Sequence, residues 1–283
     1  MSEVQKRTVT LDKRPTFLNE TGRGQMQAVL LLHGSGPGAT GFSNWQHALP
    51  VLGDRYHCLA PDLVGFGQSQ HPQPPHRGMA QWLNAWISQC LALLDALAIT
   101  KAHLVGNSMG GAIALHLVER HPDRFDKVVL LGPIGTPHKI TPGLDLLWGF
   151  YEDPTAERMA RCIRGFAYNP AIIGGDLQAI AQMRLEAALD PDVRRSFSAM
   201  FPAPRQQVID ELVLPASALQ AMNRPVLLVH GFNDIYVPVE TSLYLLNYLP
   251  RVSAHLFGQC SHWIMIEHKD AFHRIVGDFF KYA

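Results

Sequence analysis

Three residues stand out by type and spacing: Ser108 in GNSMG, Asp234 in GFNDIYVP and His262 in GQCSHW. A serine hydroxyl attacks a carbonyl carbon only when a base takes its proton. That base, most often an imidazole, needs a carboxylate to fix its tautomer and orientation. The chain order Ser, Asp, His is one in which this chemistry is built on a strand–turn–helix scaffold. G-x-S-x-G alone identifies little, because short motifs recur by chance. Its setting adds weight: GNSMG follows the apolar HLV and opens the helical pattern MGGAIALHLVER. A turn that tight needs small flanking residues, which Gly106, Gly110 and Gly111 supply. The serine then stands at a helix N-terminus, where free N–H groups favour developing negative charge.

Each residue has a plainer alternative: Ser108 an inert turn serine, Asp234 a turn-capping aspartate, His262 a loop histidine. All three occur in order, at the ends of strand candidates, and together they read as a triad. Other candidates fit worse. The loop PIGTPH after KVVLLG carries no carboxylate, His268 and His273 fall in or near the last helix, and His103, His230 and His255 fall on strands. An acyl intermediate also needs donors for its oxyanion. One expected donor is the backbone N–H of Met109, directly after the serine. The other comes from HGSGPGATGFSN at 33–44, whose closely spaced glycines let the backbone approach a ligand.

The elements that must position these residues are legible as apolar runs: AVLLL (28–32), HCLA (57–60), HLVG (103–106), KVVLLG (127–132), PVLLVH (225–230) and AHLF (254–257). Continuous apolar runs suit parallel strands covered on both faces. RTVTL and PTFLNE add an edge hairpin, for about eight strands, and helical patterns fill most gaps. MAQWLNAWISQCLALLDALAI groups Trp82, Trp86, Ile87, Cys90 and Leu94 on one face. Between 138 and 205 no strand pattern occurs, only helical stretches broken by turns. The expected organisation is a core of 1–137 and 206–283 with a helical lid at 138–205.

Composition bounds the partners. The chain of 283 residues is 47% hydrophobic and 17% charged, with 24 basic and 24 acidic residues. No basic face is implied, so nucleic acid is not expected. The polar first 27 residues lack the apolar stretch of a secretory signal, and LALLDALAI is interrupted by Asp95, so no membrane span is expected. The four cysteines, Cys58, Cys90, Cys162 and Cys260, are too scattered for a zinc site or disulfide framework. A cytoplasmic protein is expected.

LLHGSGPGATGFSNW, GNSMGG, HGFNDIYVP and GQCSHWIMIEH together resemble the meta-cleavage product hydrolases of the α/β-hydrolase fold, over nearly the whole chain. These enzymes hydrolyse a carbon–carbon bond in 2-hydroxy-6-oxohexa-2,4-dienoates, the ring-fission products of catechols. ITPGLDLLWGF and SFSAMFPAPRQ resemble the branch acting on monocyclic products, 2-hydroxymuconic semialdehyde and 2-hydroxy-6-oxohepta-2,4-dienoate. The resemblance implies Ser108, Asp234 and His262 as triad, and Ser35, Gly36 and Met109 at the oxyanion. It implies Asn44, Asn107, Arg184 and Trp263 around a small-molecule dienoate. It implies neither cofactor nor metal, and a homodimer or larger assembly.

By residue type alone, Arg184 reads as a surface arginine, Asn44 as a helix cap and Trp263 as packing. Trp148, Phe150, Phe166, Ile172, Ile173 and Met183 are candidates to line the pocket for the C6 substituent. One position departs from the family: Ser261 stands where glycine usually precedes the catalytic histidine, which bears on the His262 loop. Two other functions use the same features. A carboxylesterase or lactonase would share the triad but need no Arg184, and a ligand receptor of this fold would turn over little.

Overall fold

Every second residue of the central strands belongs to the same side of the sheet, and both sides are apolar. Leu30, Leu32, Leu104, Val128 and Leu130 pack in one buried cluster. Val29, Leu31, Val105, Val129 and Leu131 pack in the other. A strand whose alternating faces are both oily is stable only when covered on both sides. Helices provide that cover. Met79–Ala96, with Trp82, Trp86, Cys90 and Leu94 buried, lies on the first side. Lys269–Tyr282, with Phe272, Val276 and Phe280 inward, lies on the second.

The computed structural model describes residues 2–282. Its strands are β1 (Gln5–Leu11), β2 (Arg14–Thr21), β3 (Ala28–Leu32), β4 (His57–Pro61), β5 (Ala102–Asn107), β6 (Phe125–Leu131), β7 (Val226–Gly231) and β8 (Val252–Phe257). They form one eight-stranded sheet in the order β1-β2-β4-β3-β5-β6-β7-β8. The β1–β2 hairpin is antiparallel and joins β4 antiparallel, whereas β4, β3, β5, β6, β7 and β8 run parallel. The loops after β3, β5, β7 and β8 therefore open on one edge, where parallel α/β sheets bind ligands.

One expectation needs correction. The AHLF run reads as a strand covered on both faces, yet Ser253 to Leu256 of β8 are exposed. β8 is the last strand of the sheet, so its apolar residues have only β7 to pair with. Between β6 and β7 the regular elements are helical, among them Pro142–Trp148, Ala156–Gly165, Leu177–Ala188 and Pro191–Met200. Two shorter helices, Gln206–Leu212 and Ala216–Ala221, lead back to β7. Among the described residues no helix is long and apolar enough to cross a membrane.

Candidate active site

Ser108 is the residue between β5 and the helix Met109–Arg120, and its backbone has φ 56° and ψ −117°. That conformation is costly for any residue with a Cβ and persists only when its surroundings hold it. They do. Its N–H donates to Leu131 O at 2.9 Å, and its carbonyl accepts from Gly111 N at 2.9 Å and Ile134 N at 3.1 Å. The flanking glycines are a steric requirement, since a Cβ on Gly106 would lie 2.4 Å from Gly110 O and one on Gly110 2.3 Å from Leu32 O. The N–H of Met109, first in the helix, has no carbonyl one turn behind it.

Asp234 and His262 meet on the same edge. His262 Nδ1 donates to Asp234 Oδ2 at 2.6 Å, and both side chains are buried. The other oxygen of Asp234 accepts from Tyr236 N at 2.8 Å and Val237 N at 3.0 Å. The turn-capping and imidazole-holding readings of Asp234 thus both hold, one per oxygen. Burial pushes this carboxyl up, but the imidazoles of His262 and His230 outweigh it and hold the acid well below the usual carboxylate range. Gly132, just after β6, makes room for the pair. A Cβ there would sit 3.1 Å from Asp234 Oδ2 and 3.2 Å from His262 Nδ1, at a φ of +44°.

Ser108 and His262 line one cavity together with Gly34, Ser35, Gly36, Asn44, Asn107, Arg184 and Trp263. Leu147, Phe166 and Ala39 give it apolar wall, and it encloses about 400 Å³, part of it open to solvent. Every site residue expected from the sequence is a lining residue except Asp234, which stands behind His262, and Met109, whose side chain is in the core.

Arg184 is half-buried and lines the cavity rather than standing free on the surface. Its guanidinium lies 5.3 Å from the Trp263 ring centre, and among the described residues no carboxylate is within ion-pair distance. Burial lowers its pKa from the ordinary guanidinium value, which for so basic a group leaves it charged near neutral pH. Asn44 is not the helix cap; Thr40 takes that place through a reciprocal bond with Ser43. Asn44 Oδ1 instead accepts from Gly34 N at 3.0 Å and Asn107 Nδ2 at 3.2 Å. Asn44 Nδ2 and Asn107 Oδ1 are buried without a partner, which leaves a donor and an acceptor for a ligand. Trp263 stacks on Phe166 with centroids 4.6 Å apart and planes 5° apart.

Buried polar groups brace these loops. His33 Nδ1 donates to Gly34 O at 2.9 Å, and its Nε2 accepts from Leu63 N at 3.0 Å. Burial pulls this imidazole down to about 4, against the bond to Gly34 O that raises it, so it is a neutral brace. Asp62 accepts from Gly41 N at 2.8 Å and Gln68 N at 3.0 Å, and burial pushes it up to about 6. Trp148 Nε1 donates to Ser35 Oγ at 2.8 Å.

Two features escaped the sequence reading. His230 is packed, as expected, but its Nε2 also lies 3.5 Å from Asp234 Oδ2 while donating to Val237 O at 3.0 Å. Its four-residue spacing from Asp234 was the available signal. Leu147 and Ala39 as walls had none. Of the six candidates for the substituent pocket, Phe166 lines the cavity, Trp148 reaches Ser35, and Phe150 is core. Ile172 and Ile173 are half-buried away from the lining, and Met183 is 64% exposed.

Residues 27–165 match the family described as alpha/beta hydrolase fold. A 2-hydroxymuconate semialdehyde hydrolase of Pseudomonas sp. (strain CF600) is 40% identical over 264 residues, covering 93% of this chain and 89% of that protein. A serine hydrolase from the polyaromatic hydrocarbon-degrading bacterium Cycloclasticus zankles is 43% identical, with a TM-score of 0.96 over 99% of this chain and 98% of that one. A meta-cleavage product hydrolase from Pseudomonas fluorescens IP01 is 36% identical, with a TM-score of 0.90 over 97% of each chain.

Proposed function

The chain belongs to the meta-cleavage product hydrolases, enzymes of the α/β-hydrolase fold, and from that premise we propose which residues do the work and on what substrate. The reaction is hydrolysis of a carbon–carbon bond in a 2-hydroxy-6-oxo-2,4-dienoate. The observation that carries the assignment of roles is an unpaired cation, Arg184, in the same cavity as Ser108 and His262. A simple ester would need no such group; a dienoate carboxylate would, and a guanidinium fork matches it.

In this reading Arg184 and the free Nδ2 of Asn44 hold the carboxylate end, the free Oδ1 of Asn107 faces the substrate as an acceptor, and Trp263 flanks the diene. The bound dienolate gains a proton at C5 by way of His262, which leaves a ketone at C2. His262 then takes the proton of Ser108, whose oxygen adds to C6. The oxyanion rests on the N–H of Met109 and on the Ser35–Gly36 loop. When C5–C6 breaks, its electron pair runs through C4 and C3 into the C2 carbonyl, whose oxygen takes the proton that His262 received from Ser108, giving 2-hydroxypenta-2,4-dienoate and a neutral His262. Water, deprotonated by His262, then releases the carboxylic acid from Ser108.

Arg184 is the one lysine or arginine among the described lining residues, which favours a substrate with a single carboxylate. The apolar wall of Leu147, Phe166 and Ala39 and the resemblance of the helical insert favour hydrogen or a short alkyl group at C6. Residues 138–205 act as the lid over a core of 1–137 and 206–283. Free, buried cysteines suit a cytoplasmic setting. Exposed Phe232, Leu243, Leu246 and Leu256 near the β8 edge suit a homodimer or larger assembly.

The test is bleaching of the yellow ring-fission products of catechol, 3-methylcatechol and 2,3-dihydroxybiphenyl, with a p-nitrophenyl ester alongside. Rapid bleaching of a monocyclic product, lost in Ser108→Ala, is the expected result. Fast ester cleavage with no bleaching would overturn the substrate assignment while leaving the triad standing.

A further inference from the structure

The helix Ala156–Gly165 ends against the two loops that carry Asp234 and His262. The last carbonyls of a helix have no partner within it and must find donors elsewhere. Here the donors come from the triad loops. Tyr236 Oη donates to Cys162 O at 2.5 Å, Ser261 Oγ to Gly165 O at 2.8 Å, and Trp263 N to Phe166 O at 2.9 Å. Glu267 completes the set, accepting from Tyr168 N at 2.7 Å and from Ser261 N at 3.1 Å. Residues on both sides of His262 are therefore tied to one short lid segment, 165–168. That segment carries Phe166, which lines the cavity and stacks on Trp263.

Among these ties the one from Ser261 is made by a side chain that glycine would not supply. We infer that Ser261 is a positioning residue: its hydroxyl latches the end of the lid helix to the His262 loop and so fixes the Phe166–Trp263 wall that the substrate meets. Ser261 is 2% exposed. With no hydroxyl, Gly165 O would be left without this donor. His262 would keep its own anchor, the bond from Nδ1 to Asp234. The latch therefore acts on the fit of the substrate more than on the proton-transfer step. This inference rests on the proposed carbon–carbon hydrolase reading.

The experiment compares wild type, Ser261→Gly and Ser261→Ala, each as full chain. The readouts are steady-state bleaching of 2-hydroxymuconic semialdehyde and amide hydrogen exchange of residues 160–168. The expected result is the same in both variants: KM raised about five- to tenfold, the size of one lost hydrogen bond, kcat within about threefold, and faster exchange in 160–168. The paired variants guard against one of them folding poorly. Unchanged KM with unchanged exchange would overturn the latch, as would a fall in kcat at constant KM, which would place the effect on His262. Failure of the wild type to bleach any dienoate would instead overturn the functional reading. The exchange comparison would still decide whether the latch exists.

Discussion

Trp148, on the helical insert, donates its indole N–H to the Ser35 hydroxyl oxygen at 2.8 Å, on the loop after β3. One lone pair of Ser35 is thereby occupied by a residue from the helical stretch between β6 and β7, and the hydroxyl proton is left to turn toward the cavity that Ser35 lines. A side chain on the insert thus sets the donor geometry of a residue on the core.

Trp148→Phe keeps an aromatic ring to stack on Phe201, which now lies 4.7 Å away, but removes the donor. The expected outcome is a fall in kcat/KM of about five- to tenfold, with a lowered melting temperature because the smaller ring leaves space at a buried position. Bleaching kinetics and a melting curve on the same preparation check both halves.

Asp234→Asn leaves an acceptor for Tyr236 N but removes the carboxylate that holds His262 Nδ1–H. The imidazole then loses the partner that fixes its tautomer. A fall in kcat on the order of ten-thousandfold is expected, read in a single-turnover assay. A change under tenfold would mean that another group, His230 included, orients the base.

Arg184→Met keeps the length and apolar stem that run beside Trp263 and removes the charge. Loss of a charge-assisted pair of about 1.5 to 3 kcal/mol corresponds to a KM raised roughly ten- to hundredfold, with kcat less affected. An unchanged KM for the dienoate would remove Arg184 from the carboxylate site.

Two buried aspartates should move stability in opposite directions with pH. Asp234 is held below its unfolded value, so its contribution is present above about pH 4 and is lost as pH falls toward the folded value. Asp62 is raised to about 6, so its contribution is complete below about pH 4 and is lost as pH rises through 6. Urea unfolding of wild type and Asp62→Asn at pH 4 and pH 7 tests the second case. Wild type should lose ground to the variant at pH 7, and a constant difference would show that Asp62 does not titrate in that window.

The strands that carry the site were legible because a fully covered strand must be apolar at every position, as AVLLL is. Ser108, Asp234 and His262 were legible because each follows such a run. β8 reads alike and is not alike: AHLF carries the composition of a core strand, but its place at the end of the sheet is a fact of topology. Arg184 was invisible to periodicity, since nothing local distinguishes a helix face turned to solvent from one turned to a cavity. The bond from Trp148 to Ser35 spans 113 residues, a distance over which a single sequence carries no pairing signal.

The backbone of Ser108 lies in a region where glycine rests easily and serine does not. The protein is thus less durable than its own fold would permit, and the deficit is localised at the residue proposed to react. Selection for heat resistance alone, blind to turnover, would be expected to favour Ser108→Gly, gaining on the order of 1 kcal/mol while abolishing the reaction. On the proposed function, serine at this position is held by chemistry against the pull of folding.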